Sequence, residues 1–143
     1  MAKRNATAKW AGSLREGGGT VALGTGALHA PFSFQSRFED GEGTNPDELM
    51  AASLAGCYTM QLSGVLGEAG LEPESLETDA EVQLHQGDDG LSISRIDLVL
   101  RGRVPGIDQA QFSEHAQTAK ELCAVHKALA GVGEITLDAS LEG

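Results

Sequence analysis

The stretch "TNPDELMAASLAGCYTMQLSGVLGEAG", residues 44 to 70, constrains the fold more than any other part of the chain. It carries the punctuation of one long helix. Asn45 is a good N-cap, Pro46 fits the first helical position, Asp47 and Glu48 complement the helix dipole, and Glu48 stands three residues beyond the cap. Gly70 marks its end. Ser53, Gln61, Ser63 and three glycines interrupt the apolar run from 49 to 67, so the expected element is a buried helix that falls short of a membrane span. Its surface is unusually small, with Ala51, Ala52, Ser53, Ala55, Gly56, Ser63 and Gly64. Such a helix admits a close neighbour, and the predicted neighbour is a second copy of the chain, in a homodimer where these helices meet or are shared.

The rest of the chain supplies strands and one further helix. Residues 1 to 35 place Trp10, Val21, Leu23, Leu28, Phe32 and Phe34 among glycines, which predicts two or three short strands with a turn at "REGGGT". "EDGEGTNP" reads as an acidic loop. After the long helix, "ETDAEVQLH" and "LSISRIDLVLRGRV" form a hairpin about "GDDG". The apolar phase of the second strand shifts between Ile93 and Ile96, which predicts a bulge near Ser94 or Arg95. Asp108 then caps a second helix in which Phe112, Ala119, Leu122, Cys123 and His126 recur at helical spacing, and "EITLDASLE" is a last strand. The predicted class is α+β, in a single domain over 1–143.

Composition narrows the partners. A formal net charge of −11 with only ten Lys plus Arg argues against nucleic acid and anionic membranes. Two cysteines are too few to staple a secreted scaffold, and "MAKRNATAKW" lacks the apolar core of a signal peptide, so a reducing cytoplasm is the expected compartment.

Cys57 lies in the middle of the apolar helix and Cys123 on the second helix. Both fit the role of small buried hydrophobes. A reactive thiol needs more: a cation to hold the thiolate, access to solvent and a second thiol nearby. An arginine within about 4 Å would contribute roughly 4 kcal/mol at an effective dielectric near 20, enough to offset burial. Arg37, in "FQSRFEDG", expected in a loop bounded by Phe34 and Phe38, is the placed candidate, and Asp47 or Glu48 could orient it through a bidentate contact. Ten residues, about 15 Å of helix axis, separate Asp47 from Cys57, so these two cannot touch within one straight helix. Cys123 and His126, spaced i, i+3, could with Cys57 supply three zinc ligands, although no second close ligand pair exists. "GEGTNP" is a poor anion loop because Pro46 and two acids follow its glycines. His29, His85 and His115 are expected at the surface.

The segments "FQSRFEDG", "GTNPDELMAASLAGC" and "KELCAVHKAL", with "AKWAG", "VPGID" and "EITLD" extending the likeness nearly end to end, resemble the family of osmotically inducible protein C (OsmC) and organic hydroperoxide resistance protein (Ohr). The likeness is stronger to the OsmC branch. It implies an OsmC-like fold with N-terminal strands, a long buried central helix, a hairpin, a second helix and a C-terminal strand, in an intertwined dimer. It also implies a thiol peroxidase acting on organic hydroperoxides and hydrogen peroxide, with Cys57 peroxidatic, Cys123 resolving, and Arg37 and Asp47 completing the site. No metal or cofactor is implied, and electrons come from a dithiol of lipoyl type. Two positions depart from the family pattern. Asp47 stands where Glu is usual after Asn-Pro, so Glu48 could take its role, and Cys123-Ala124-Val125-His126 replaces a Cys-Pro-Val-Ser-like segment. The competing expectation is a non-enzymatic dimeric stress protein whose cysteines are structural or bind zinc.

Overall fold

Three antiparallel strands open the chain: β1 (Ala6–Ala11), β2 (Gly18–Leu23) and β3 (His29–Phe32), in the order β1-β2-β3. The computed structural model describes residues 2–143, and these fall into two units that divide after Leu49. In the first, Gly19 of the middle strand pairs with Trp10 on one side and Phe32 on the other. A Cβ at Gly19 would stand 2.9 Å from the Phe32 ring and 3.0 Å from that of Trp10. Having none, it lets the two rings meet over it with centroids 5.2 Å apart. All six residues of β1 are exposed. The "REGGGT" turn is shorter than expected, because Gly18 and Gly19 already belong to β2.

A short helix, α1 (Phe34–Phe38), replaces the loop expected around Arg37. Its cause is local. Ser33 and Ser36 exchange side-chain and backbone hydrogen bonds in a capping box, which satisfies the first free N–H groups of a helix too short to show periodicity.

The long helix α2 (Pro46–Glu68) begins in the first unit and runs into the second. The Asn45 side chain accepts from the Glu48 N–H at 2.8 Å, as an N-cap should, and Gly70 follows with φ +77°. Glu48 does not close a capping box, because its carboxylate accepts the Thr44 hydroxyl at 2.8 Å instead. Its most apolar 18-residue stretch has a mean hydropathy of 1.3, and its large apolar side chains pack into a protein core, as expected of a buried helix and not of a membrane span. It is, however, only half a buried helix. Leu54, Tyr58, Leu62, Val65 and Leu66 face the core, while Ala52, Ser53, Gly56, Met60, Ser63 and Gly64 are exposed, Met60 by 78%.

In the second unit β4 (Ser75–Gly87) and β5 (Gly90–Arg103) form the expected hairpin, and β6 (Glu134–Leu141) adds to the far side of β5 in parallel. Gln83 pairs with Arg95 and Leu84 with Ile93, leaving Ser94 as the extra residue of a bulge. Ile96, Leu98, Leu100 and Gly102 alternate onto the buried face of β5. The helix α3 (Gln109–Leu122), capped by Asp108 through a second capping box, contributes Phe112, Ala116 and Ala119 to the same core. Helical periodicity overran at its end. Cys123 adopts an extended conformation (φ −63°, ψ 121°) between α3 and a short α4 (Ala124–Ala128), so His126 lies on a separate helix and Leu122 is turned outward, 48% exposed. His29 and His85 are exposed as expected, and His115 is half-buried.

Candidate active site

The four predicted site residues appear as two pairs. Arg37, in the last turn of α1, donates from Nε to Asp47 Oδ2 at 3.0 Å and from Nη2 to Asp47 Oδ1 at 3.2 Å, a bidentate fork on a carboxylate that is only 14% exposed. Its guanidinium also lies 5.3 Å from the Phe38 ring centroid. Asp47, the shorter acid, therefore reaches the arginine, and Glu48 is engaged with Thr44.

The loop before α2 is fixed by residues that periodicity did not single out. Ser36 Oγ donates to the Thr44 carbonyl at 2.7 Å, and Asn45 Nδ2 donates to the Ser36 carbonyl at 3.0 Å, so α1 and the start of α2 are tied back to back. Ser36 and Thr44 are both buried. The pair Ser33-x-x-Ser36 was the sequence signal for this arrangement. Beside Arg37, the rings of Trp10, Phe32, Phe34 and Phe38 and the side chain of Leu14 line a cavity of about 260 Å³. An apolar cavity with one cation on its wall suits a ligand with an alkyl or aryl body and one polar end.

Cys57 and Cys123 form the second pair. Both are free thiols, and Cys123 donates to Cys57 with the two sulfurs 3.2 Å apart. Cys57 is half-buried and Cys123 has no exposed surface. Burial pushes the Cys123 thiol above its ordinary pKa; the His126 and Val125 backbone N–H groups pull against this, and the neighbouring Cys57 adds to the rise. Cys123 thus rests as a protonated donor. Tyr58, the residue after Cys57, is pushed above the ordinary tyrosine range by burial and by the nearness of Cys123. His126 is shifted below the usual histidine value by burial and by Lys120. Among the described residues no three His, Cys, Asp or Glu side chains come together in a group that could hold a metal, so Cys57, Cys123 and His126 do not form the triad that spacing allowed.

Two adjacent thiols of unequal exposure can be oxidised to a disulfide and reduced again. Comparison with known proteins shows the family. A family model described as OsmC-like protein matches residues 39–138. The chain is 44% identical over 136 residues, 94% of each sequence, to Peroxiredoxin OsmC of Escherichia coli (strain K12). It is 32% identical over 98 residues, 68% of this chain and 67% of the relative, to the organic hydroperoxide resistance protein of Xanthomonas axonopodis pv. citri (strain 306). Among solved structures, an organic hydroperoxide resistance protein OsmC from Legionella pneumophila superposes with a TM-score of 0.72 at 22% identity, covering all of both chains. An OsmC-like protein from Mycoplasma pneumoniae does so with a TM-score of 0.78 at 17% identity over 99% of each. At those identities the structures show a shared fold.

Proposed function

We propose that this chain, a peroxidase that belongs to the OsmC-like protein family, reduces organic hydroperoxides through a disulfide cycle between Cys57 and Cys123. The observation that carries the reading is the 3.2 Å pair of free thiols, one half-buried and one fully buried. Names of relatives support the substrate class, since one is an organic hydroperoxide resistance protein.

In this reading the half-buried Cys57 is the thiol that meets peroxide. Its thiolate attacks the distal oxygen of ROOH, the O–O bond breaks, ROH leaves after taking a proton, and Cys57 becomes a sulfenic acid. The family resemblance assigns Arg37, held in orientation by the Asp47 fork, to supply positive charge for the thiolate and for the oxygen that leaves. With ten residues of α2 between Asp47 and Cys57, this reading draws that charge from the Arg37 of a second copy in the homodimer. Cys123, kept protonated by burial, then condenses with the sulfenic acid; its proton departs with the hydroxyl as water and the S–S bond forms. An external dithiol, the lipoyl type being the family-based choice, returns two electrons and reopens the bond. The cavity beside Arg37 suits an alkyl group better than the hydrated body of a small polar peroxide. The exposed small-residue face of α2 supports a homodimer as the working form.

The test is intact mass of the reduced protein after one equivalent of an alkyl hydroperoxide, without reductant. The expected result is a loss of about 2 Da per chain, absent in Cys57→Ser and Cys123→Ser, with Cys123→Ser still consuming one peroxide. No mass change in the wild-type chain, together with about one zinc bound per chain, would overturn the reading and make the thiols metal ligands.

A further inference from the structure

Tyr58 directly follows the reactive thiol of α2 and has no exposed surface. Its phenol donates to the Ala116 carbonyl of α3 at 2.9 Å, across 58 residues of chain. Ala116 lies in α3 seven residues before Cys123, the residue that ends this helix, and Ala116, Ala119 and Cys123 are all fully buried. Adjacent residues of α2 thus tie it to the α3 segment at two points, the thiol pair below and the phenol above. As a helical carbonyl within α3, Ala116 also has the N–H four residues on as a partner, so the phenol is an added tie and not the only satisfaction of that oxygen. Burial keeps the phenol protonated, so it donates throughout the physiological range.

We propose that Tyr58 is a positioning residue for the closing of the disulfide, an inference that rests on the cycle proposed above. The condensing sulfurs must move from 3.2 Å to a bond of about 2.05 Å, and efficient reaction needs them held within about 3–3.5 Å beforehand. Packed helices slide by about 1–2 Å when their interface is free to shift. A slide of that size would carry the sulfurs out of reach, and the phenol tie opposes it from the neighbouring residue. The reaction served is Cys57–SOH plus Cys123–SH giving the disulfide and water; Tyr58 exchanges no atom in it.

The test uses the full chain with Tyr58→Phe, which removes one oxygen and leaves the ring. Oxidation of Cys57 by one equivalent of alkyl hydroperoxide is expected at the wild-type rate. Closing is expected to slow about five- to tenfold, with a transient gain of 16 Da trappable by dimedone. The effective concentration of the thiol pair, measured against glutathione without any peroxide, is expected to fall by the same factor. Thr59→Val is the control for stability alone, because it removes bonds to Ala55 and Thr78 from the next residue of the same helix. It is expected to lower the melting temperature and leave closing unchanged. Since Tyr58 is the only tyrosine, 3-fluorotyrosine incorporation reports on it selectively, and its ¹⁹F resonance is expected to shift on closing. Wild-type closing and effective concentration in Tyr58→Phe, equal slowing in Thr59→Val, or a ¹⁹F resonance indifferent to closing would each overturn the proposal. If the wild-type chain leaves peroxide untouched, the cycle fails, and the glutathione measurement still decides on Tyr58.

Discussion

Asp47 and Glu48 offer an internal control on the arginine fork. They are neighbours in the first turn of α2, so both feel the positive end of the same helix, worth about 0.3–1 kcal/mol to either carboxylate. They differ in what they hold. Asp47 accepts two charge-assisted bonds from Arg37, at 3.0 and 3.2 Å, while Glu48 accepts the Thr44 hydroxyl. Replacing Asp47 by Asn removes the charge and one of two acceptor oxygens, leaving a guanidinium, 31% exposed, with half its fork unpaired. Charge-assisted hydrogen bonds contribute about 1.5–3 kcal/mol. If that orientation serves the reaction of Cys57, the second-order rate constant with an alkyl hydroperoxide falls roughly 10- to 150-fold, the lower half being expected because the amide oxygen still accepts one bond. Glu48→Gln keeps an acceptor for Thr44 and is expected within about threefold of wild type. Stopped-flow oxidation of the reduced proteins at one pH, with melting temperatures measured alongside, separates the two. Equal losses in the two variants would refute the assignment of Asp47 as the orienting acid.

Other perturbations test the frame around the thiols. Gly102→Ala places a Cβ 2.5 and 2.7 Å from Phe112 ring atoms and 3.1 Å from Leu76, so it is expected to cost about 1–3 kcal/mol by denaturant titration; no shift of the midpoint would mean that α3 rides loosely on the sheet. Asp97 accepts a hydrogen bond from Thr136 and pairs with Arg95, and the Thr136 hydroxyl is the main cause that holds its carboxyl below the usual range. A depressed folded pKa gives stability that is present above the unfolded value near 3.9 and lost as pH falls through the folded value. Asp97→Asn is therefore expected to flatten the acid limb of the stability curve; an unchanged limb would exclude this carboxylate as its source.

Much of the second unit was legible because its signals are redundant. The hairpin has alternation and a turn, and the bulge at Ser94 follows from the single residue by which Ile93 and Ile96 fall out of phase. The caps at Asn45 and Asp108 were equally plain. What escaped were short and contrary features. α1 spans five residues, fewer than two turns, so only Ser33 and Ser36 could announce it. The break at Cys123 carries neither Gly nor Pro, and the helical spacing of Phe112, Ala119, Leu122 and Cys123 continues through it to His126, so periodicity read one helix where there are two. The site residues themselves stood out by resemblance more than by pattern. Residue spacing offered Arg37 a choice of two acids, and only the side-chain geometry assigns Asp47 to it and Glu48 to Thr44.

Cys57 and Cys123 are separated by 66 residues, and between them lie the whole hairpin and α3. A covalent bond closing a loop of that length removes enough freedom from the unfolded chain to favour the folded state by about 4 kcal/mol on the chain-entropy account. If the proposed cycle operates, each turn of it switches the protein between a more and a less robust form. The same free energy, read in the other direction, makes the folded chain draw its thiols together and deepens the reduction potential of the pair by about 90 mV, since 30 mV corresponds to about 1.4 kcal/mol. When its reductant runs short, such a protein would accumulate in the form that resists unfolding and proteolysis best. Survival and idleness would coincide, so the amount of this protein in an oxidised cell need not report on how much of it is working.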